Sequence, residues 1–309
     1  MRYSIPMSAT PPLSLRLRHR LEYSVFLLFR GLVRTLPFRA ATRMTAFLAE
    51  HLQETFGWRK DVTTLRITEV FPDLPPGEQI RIRKQAARNL GHNFCEILNA
   101  DRLDDEWADK NIEAESAVAA LEQARQAGKG VLLVITHFGN WDLAGTIACR
   151  RGIPMCFIAR TQKNPLTYQA LQTARQHSGG LVLDRDDPKL IRKLLPFLAD
   201  KGVVAILIDI HARGAGEAHT FLNRPCRLAN GLGLLAAKSG AAVLPVALYR
   251  DPAGKHIWAP AAVRHFDPST DKKAAKAQLL QSCLDDLSPF ILAHPESYFW
   301  YNKRWVLEP

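Results

Sequence analysis

The clearest indication of the fold comes from residues 131–142, which read Val131-Leu-Leu-Val-Ile-Thr-His-Phe-Gly-Asn-Trp-Asp142. The apolar and mostly β-branched first half predicts a buried strand. A short turn at Gly139 and Asn140 follows, and a helix is predicted from Asp142 onwards. Strand, turn and helix in this order predict the beginning of a parallel α/β unit.

The same alternation of short apolar runs and helical patterns continues to the C-terminus. Strands are predicted over residues 131–136, 155–158, 181–183, 203–208, 243–248 and 257–261. Helices are predicted over residues 78–98, 114–127, 142–150, 166–177, 188–200, 229–239 and 272–293. The sequence therefore predicts an α/β fold with a central, mostly parallel β-sheet flanked by helices on both faces.

The first 60 residues differ from this core in composition. Between Arg16 and Arg43 there are seven arginines and one acid, Glu22, interleaved with leucine, valine and phenylalanine. This mixture predicts an amphipathic helical part that lies in a membrane interface, with its guanidinium groups near phosphates. A basic helix packed on the protein and a single tilted span are the alternatives. The residues that we predict to associate with the membrane are Phe26, Phe29, Arg30 and Arg34.

Composition indicates a globular protein with an anionic partner. The chain is 47% hydrophobic and 23% charged, and its formal net charge is +11. Such a charge favours a phospholipid surface, an acidic protein or a nucleic acid. We predict one domain over residues 1–309, with an amphipathic part (1–60), a helical lead-in (61–129) and an α/β core (130–309).

His137 and Asp142 are the predicted catalytic residues. His137 ends the first strand of the core, and Asp142 follows five positions later. Histidine accepts and returns protons near neutral pH, and a nearby carboxylate can fix its tautomer. We therefore predict that His137 abstracts a proton from a hydroxyl and that Asp142 orients it. A serine esterase or thioesterase is the nearest alternative enzyme, but the chain has no G-x-S-x-G motif.

Further polar residues are predicted at the same edge of the sheet, where parallel sheets bind their ligands. Arg160 and Asp209 each follow a predicted strand, and Arg224 lies in a cationic segment that is expected to form a loop beside them. The predicted substrate-binding residues are Gly139, Asn140, Arg160, Asn164, Asp209 and Arg224. No cofactor and no metal ion is predicted, because the spacing of Asp209 to His211 and His219 fits no zinc site.

Six short motifs occur in a fixed order along nearly the whole chain. They are Val70-Phe-Pro-Asp73, Thr136-His-Phe-Gly-Asn-Trp-Asp142, Ala159-Arg160 with Asn164-Pro165, Asp209, Ala241-Ala-Val-Leu-Pro245, and Pro295-Glu-Ser-Tyr-Phe-Trp300 with Lys303-Arg304-Trp305. Together they resemble the bacterial lipid A biosynthesis acyltransferase family, the secondary lauroyl and myristoyl transferases, within the lysophospholipid-acyltransferase-like group. The second motif is similar to the family's catalytic His-x4-Asp/Glu motif. The third block departs from the family, since His211 stands where many members have a second acid.

The resemblance implies a reaction and a location. The reaction is direct transfer of an acyl chain from acyl carrier protein or coenzyme A to a hydroxyl of a membrane glycolipid, foremost a lipid A precursor, without a covalent acyl-enzyme. His137 would be the general base, Asp142 its orienting acid, and Arg160 the ligand of a phosphate. The expected location is the cytoplasmic face of the bacterial inner membrane, peripheral or weakly single-pass.

Several alternatives remain open at this point. The acceptor can be another glycolipid, a phospholipid or an ornithine-type lipid. A catalytically silent lipid-binding protein would keep the basic, amphipathic front without needing His137. A nucleic-acid partner is not expected, because no recognised nucleic-acid-binding module accompanies the basic residues.

Overall fold

A seven-stranded β-sheet forms the centre of the molecule. The computed structural model describes residues 12–160, 163–169, 179–212, 216–269 and 271–307. The strands of the central sheet are β1 (Ile112–Glu113), β2 (Val131–Ile135), β3 (Met155–Ala159), β4 (Leu181–Asp184), β5 (Val203–Leu207), β8 (Ala242–Arg250) and β9 (His256–Pro260). A separate hairpin consists of β6 (Glu217–Phe221) and β7 (Arg224–Leu228).

The order of the strands is β1-β9-β8-β2-β5-β3-β4. Strands β8, β2, β5, β3 and β4 pair in parallel, as do β1 and β9, whereas β8 and β9 pair antiparallel. The predicted mostly parallel sheet is therefore confirmed. Parallel pairing brings the carboxyl ends of β2, β5 and β3 to one edge, where the predicted site residues follow them.

Helices precede the sheet and connect its strands. They are α1 (Leu13–Thr35), α2 (Phe38–Phe56), α3 (Lys60–Val70), α4 (Pro76–Leu98), α5 (Asp105–Asn111), α6 (Glu115–Ala127), α7 (Trp141–Arg150), α8 (Leu190–Ala199), α9 (Gly231–Ser239) and α10 (Lys272–Ala293). A 3-10 turn, Pro295–Ser297, follows α10. The helix predicted over 166–177 is helical at 165–169, and the rest of it lies outside the described residues.

Apolar cores cover both faces of the sheet. Alternate residues of β2 enter different cores: Leu132 and Val134 pack on the side of α4 and α10, whereas Val131 and Ile135 pack on the side of α6 and α7. This alternation follows from the two-residue period of a strand. Helices on both faces of the sheet are therefore confirmed.

The cationic segment 221–230 contains a β-strand, which corrects the predicted loop. Its first part forms the tight turn of the β6–β7 hairpin, with positive φ angles of 52° at Leu222 and 61° at Asn223. Two-residue hairpin turns favour such angles at both central positions, although a leucine is unusual there. Leu222 is fully buried, so packing of its side chain offsets the backbone strain.

The amphipathic character of α1 is present, but its exposed apolar face differs from the predicted one. Phe29 packs against Phe94 of α4 with ring centroids 5.9 Å apart, and Phe26 packs on the same core. Arg34 donates two hydrogen bonds to the Asp101 carboxylate, while Arg30 is half-buried. A stripe at helical spacing is exposed instead: Leu13, Leu17, Leu21, Val25, Leu28 and Leu32.

Exposed apolar side chains also lie on the next two helices. They include Phe47 and Phe56 of α2, Trp58 of the connection, and Leu65 of α3. Isolated exposed apolar residues are ordinary on protein surfaces, but clustered ones mark interaction surfaces. Within the described residues, none of the helices combines the length and the apolar character needed to cross a membrane.

Candidate active site

His137 and Asp209 form a buried hydrogen-bonded pair at the carboxyl edge of the sheet. In the parallel pairing of β2 and β5, Ile135 lies opposite Leu207, so the residues two positions later also meet. The Nδ1 atom of His137 lies 2.8 Å from Oδ1 of Asp209, and the His137 backbone N–H donates to Oδ2 at 2.9 Å. Since a carboxylate accepts hydrogen bonds, Nδ1 carries the proton and Nε2 is the nitrogen that can accept one.

The C-terminal segment completes the environment of this pair. The Tyr298 hydroxyl donates to Oδ2 of Asp209 at 2.9 Å, and the Phe299 backbone N–H donates to the His137 carbonyl at 2.8 Å. Trp141 packs edge-on against the His137 ring, with centroids 4.9 Å apart. The aromatic residues of this C-terminal segment are mostly buried, and the segment holds the histidine in place.

The electrostatics of the pair suit a general base. Burial lowers the pKa of His137, but the charge and hydrogen bond of Asp209, with the charge of Asp142, outweigh it, so the pKa is raised. Burial also raises the pKa of Asp209, but His137 and the hydrogen bond from Tyr298 reverse this and hold it below its usual value. An ionised carboxylate in this position can stabilise the imidazolium of a histidine that takes up a proton.

Asp142 was predicted to orient His137, but the hydrogen bond to Nδ1 comes from Asp209. Asp142 lies in the first turn of α7 and lines an apolar cavity beside the histidine. Asp142 contributes to the site through its charge, which raises the pKa of His137.

Gly139 and Asn140 shape the loop between β2 and α7 (residues 136–140) through protein contacts. Gly139 has a φ of 65°, and a Cβ there would lie 2.3 Å from the Leu248 carbonyl oxygen. Its N–H donates to the Ser297 carbonyl at 2.9 Å. The Asn140 side chain caps α7 by accepting from the Leu143 N–H at 3.2 Å. These contacts assign both residues a part in holding the loop, and their predicted contact with substrate stays a prediction.

A buried ionic network supports the loop between β2 and α7. The Glu96 carboxylate accepts from Arg250 Nη2 at 2.6 Å, from His256 Nε2 at 3.1 Å and from Asn140 Nδ2 at 2.8 Å. Arg250 also donates to Asn93, whose amide donates to the Gly139 carbonyl. Burial alone would raise the pKa of Glu96, but Arg250 and the hydrogen-bonded His256 outweigh it and hold the pKa well below its usual value. Sequence reasoning missed this network.

Removing one partner of this network is expected to destabilise the protein strongly. Arg250→Met leaves the Glu96 carboxylate buried without its cation, which costs about 3–5 kcal/mol of unfolding free energy. Denaturant titration of purified protein measures this loss. The matched control is Lys110→Met, which breaks an exposed pair with Glu106 and should cost at most about 0.5 kcal/mol. Equal losses in both variants would contradict a structural role for the network.

The other predicted substrate-binding residues occupy three different environments. Arg160 is 62% exposed and forms a 3.4 Å ion pair with Asp186. Asn164 is buried and donates to the His19 carbonyl, at 3.0 Å, and to Glu22, so it ties the segment after β3 to α1. Arg224 donates hydrogen bonds from Nε and Nη2 to the backbone carbonyl oxygen of Glu69, at the end of α3.

These contacts separate Arg160 from the other two residues. The side chains of Asn164 and Arg224 are engaged by the protein itself, which differs from their predicted place in the crevice. An exposed ion pair such as that of Arg160 contributes little stability. The Arg160 guanidinium can therefore exchange Asp186 for a ligand, and its role in substrate binding stays a prediction.

An apolar cavity lies near the histidine, on the side of α6 and α7. It encloses about 850 Å³ of empty space, including its opening to solvent. Its described lining includes Leu133, Phe157 and Ala205 from the sheet, and Trp141 and Asp142 from the start of α7. A pocket with so few polar groups fits a hydrocarbon chain.

The mostly parallel sheet, covered by helices on both faces, makes this an α/β protein, and its histidine–carboxylate pair lies near an apolar cavity. Comparison with known proteins shows which family the chain belongs to. The model of the family described as "Bacterial lipid A biosynthesis acyltransferase" matches residues 11–306. The chain belongs to this family of acyltransferases, as the sequence motifs predicted.

Individual relatives are distant. The chain is 26% identical over 190 residues to a phosphatidylinositol mannoside acyltransferase of Mycobacterium tuberculosis (strain ATCC 25618 / H37Rv), covering 61% of this chain and 58% of that protein. The chain thus spans less than two thirds of the length of the mycobacterial relative. It is 25% identical over 284 residues to a lipid A biosynthesis lauroyltransferase of Escherichia coli (strain K12), covering 90% and 89%. A lipid A biosynthesis palmitoleoyltransferase of the same organism is 24% identical over 257 residues, covering 81% and 80%.

Proposed function

We propose that this protein transfers a fatty acyl chain from an acyl thioester to a hydroxyl of a membrane glycolipid. The observation that carries the proposal is the His137–Asp209 pair, whose histidine packs against Trp141 in the lining of an apolar cavity. The membership of the family supports acyl transfer, and the names of the relatives support a glycolipid acceptor.

The proposed reaction is a direct transfer with His137 as general base. Nε2 of His137 takes the proton of the acceptor hydroxyl while the hydroxyl oxygen attacks the thioester carbonyl carbon. The tetrahedral intermediate then collapses, the C–S bond breaks, and the leaving thiolate takes the proton from His137. The products are an ester and a free thiol. Asp209 stabilises the imidazolium between these steps, and Tyr298 holds Asp209 in place.

The apolar cavity near α6 and α7, which we call the donor pocket, is proposed to bind the acyl chain of the thioester. Its described lining is apolar apart from Asp142, and one lining residue, Trp141, contacts the His137 ring. Burying a chain there stabilises the complex by about 0.8 kcal/mol for each methylene group removed from water. The thioester carbonyl at the end of the chain would then lie near His137.

Narrowing this pocket is expected to shorten the preferred acyl chain. Ala205→Leu adds a larger side chain on the floor of the pocket, where Ala205 is half-buried on β5. We expect kcat/KM for the longest accepted donor to fall about 10–100-fold, since a few methylene groups carry this much discrimination. A series of donors with increasing chain length measures the effect. The shortest donor serves as the internal control, and an equal loss for every donor would contradict the assignment.

The acceptor is proposed to be a lipid A precursor, with a phosphatidylinositol mannoside-like glycolipid as the second candidate. Both candidates follow from the names of relatives. A headgroup phosphate has a suitable ligand in Arg160, which is exposed beyond the end of β3. The formal net charge of +11 suits an anionic acceptor, an acidic carrier protein as donor and an anionic membrane. Coenzyme A is the alternative donor.

We further propose that the protein acts as one domain at the cytoplasmic face of the inner membrane. The exposed apolar stripe of α1 supports an interfacial position, because basic residues such as Arg18 and Arg20 lie on the same helix. Peripheral attachment through this stripe requires no spanning helix.

Mass spectrometry of lipids tests the proposed function and names the acceptor. Cells with and without the gene are compared, and the expected result is one glycolipid that lacks a single acyl chain in the deletion strain. Its mass difference gives the chain length, and fragmentation gives the position. Complementation with the His137→Ala gene is the control and should not restore the chain. An unchanged lipid profile would contradict the proposal.

A further inference from the structure

We propose that a second cleft, on the α4 side of His137, binds a hydrocarbon chain of the acceptor lipid. We call it the acceptor cleft. It lies between one face of α4 and the two segments 139–141 and 296–301, and it encloses about 550 Å³ of empty space, including its opening. This inference rests on the proposed acyl transfer to a membrane lipid and specifies where that lipid sits.

The polar side chains at the floor of the cleft form hydrogen bonds within the protein. Asn89 donates to the Glu296 carbonyl at 2.8 Å, and Asn93 donates to the Gly139 carbonyl at 2.8 Å. These two hydrogen bonds join α4 to the opposite wall and fix the width of the cleft. Because both amides are engaged in this way, the floor does not require a polar ligand.

The walls above this floor are apolar. Leu90, Phe94 and Ile97 repeat at helical spacing along α4 and face Phe299 and other aromatic residues across the cleft. Such a slot, lined by aliphatic groups on one side and aromatic rings on the other, matches an alkyl chain.

The acceptor cleft and the donor pocket converge on the catalytic histidine. Trp141 lines both spaces and packs on the His137 ring at 4.9 Å, while Phe299 lines the acceptor cleft and lies 6.0 Å from the same ring. Direct transfer requires the donor and the acceptor to be bound at once, on either side of the base. The two spaces provide that arrangement.

Continuity with the exposed apolar surface decides which substrate occupies the cleft. Phe94 of the lining is itself exposed and packs against Phe29 of α1. Tyr301 of the lining stacks on Trp58, which is exposed, with ring centroids 5.3 Å apart. The acceptor resides in a membrane, whereas the donor is delivered by a soluble carrier. A chain from the acceptor therefore reaches the cleft along an apolar path.

Filling the acceptor cleft tests the inference. Leu90→Trp places a larger ring between the walls, and we expect the KM for the acceptor lipid to rise about 10–100-fold. The KM for the acyl thioester should stay within about twofold, since that substrate occupies the other pocket. Steady-state kinetics with each substrate varied at saturating levels of the other measures both constants. In the wild type, an acceptor analogue with fewer acyl chains should have a higher KM than the full lipid. In the Leu90→Trp variant, this difference in KM should disappear.

Ala205→Leu in the donor pocket is the matched control, because it should change donor kinetics and leave the acceptor KM unaltered. Ile97→Phe provides a second, smaller filling of the acceptor cleft if Leu90→Trp does not fold. A rise in donor KM with an unchanged acceptor KM in the cleft variants would overturn the assignment of the cleft. A wild-type protein that transfers no acyl chain to any lipid hydroxyl would instead overturn the proposed function.

Discussion

Replacing His137 by alanine is expected to lower kcat for acyl transfer by about 10²–10⁴-fold, the contribution of a well-placed general base. Without the imidazole, the acceptor hydroxyl must attack before losing its proton, and the Asp209 carboxylate does not reach the position of Nε2. Release of free thiol from the acyl thioester, measured in the presence of acceptor lipid, gives the rate. The side chain is 13% exposed, so its removal creates a small cavity that opens to solvent.

Binding of the same variant to liposomes separates this prediction from a non-catalytic role. The exposed stripe of α1 is distant in sequence from His137, so vesicle co-sedimentation should be unchanged. A melting temperature close to that of the wild type would show that the fold is retained. Full transfer activity in His137→Ala would contradict the assignment of the base, whereas a wild-type protein that binds liposomes but transfers no acyl chain would favour a lipid-binding protein.

The second large effect is expected from Asp209→Asn. The amide keeps the size of the carboxylate but removes its charge and can select the wrong tautomer of His137, which costs up to about 10⁴-fold in kcat. Because the charge of Asp209 raises the pKa of His137, its loss lowers that pKa. The base then remains unprotonated to lower pH. The acid limb of the profile of kcat/KM against pH should therefore shift to lower pH in the variant.

Asp142→Asn is the matched comparison for this prediction. Asp142 also raises the pKa of His137, but it follows Asp209 in the size of its effect. We expect a smaller shift of the acid limb in the same direction and a smaller loss of rate. A larger loss for Asp142→Asn than for Asp209→Asn would show that Asp142 is the principal partner of the base.

Much of the catalytic edge was predictable, because buried parallel strands have a strong local signature. The runs that end before His137 and Asp209 were both predicted as strands, and both residues were placed at strand ends. Their pairing was missed because strand order and register are not local properties. Had β2 and β5 been recognised as neighbours, their equal offsets of two residues from Ile135 and Leu207 would have indicated the contact.

The supporting residues were harder to predict. Glu96, Arg250 and His256 lie on α4, β8 and β9, and an isolated charge in a sequence gives no sign that its partner is buried with it. Arg34 was likewise predicted from composition to contact lipid, whereas its carboxylate partner lies 67 residues away at Asp101. Long-range ion pairs of this kind depend on tertiary structure.

One reaction tests the central claim most directly. Purified protein is mixed with an acyl thioester and a glycolipid that has a free hydroxyl, and both lipid and intact protein are followed by mass spectrometry. The expected result is an acceptor heavier by one acyl group, one thiol released for each ester formed, and a protein mass that never increases. A protein that gains the mass of an acyl chain, or a reaction that yields free fatty acid and no ester, would contradict direct transfer by His137 and Asp209.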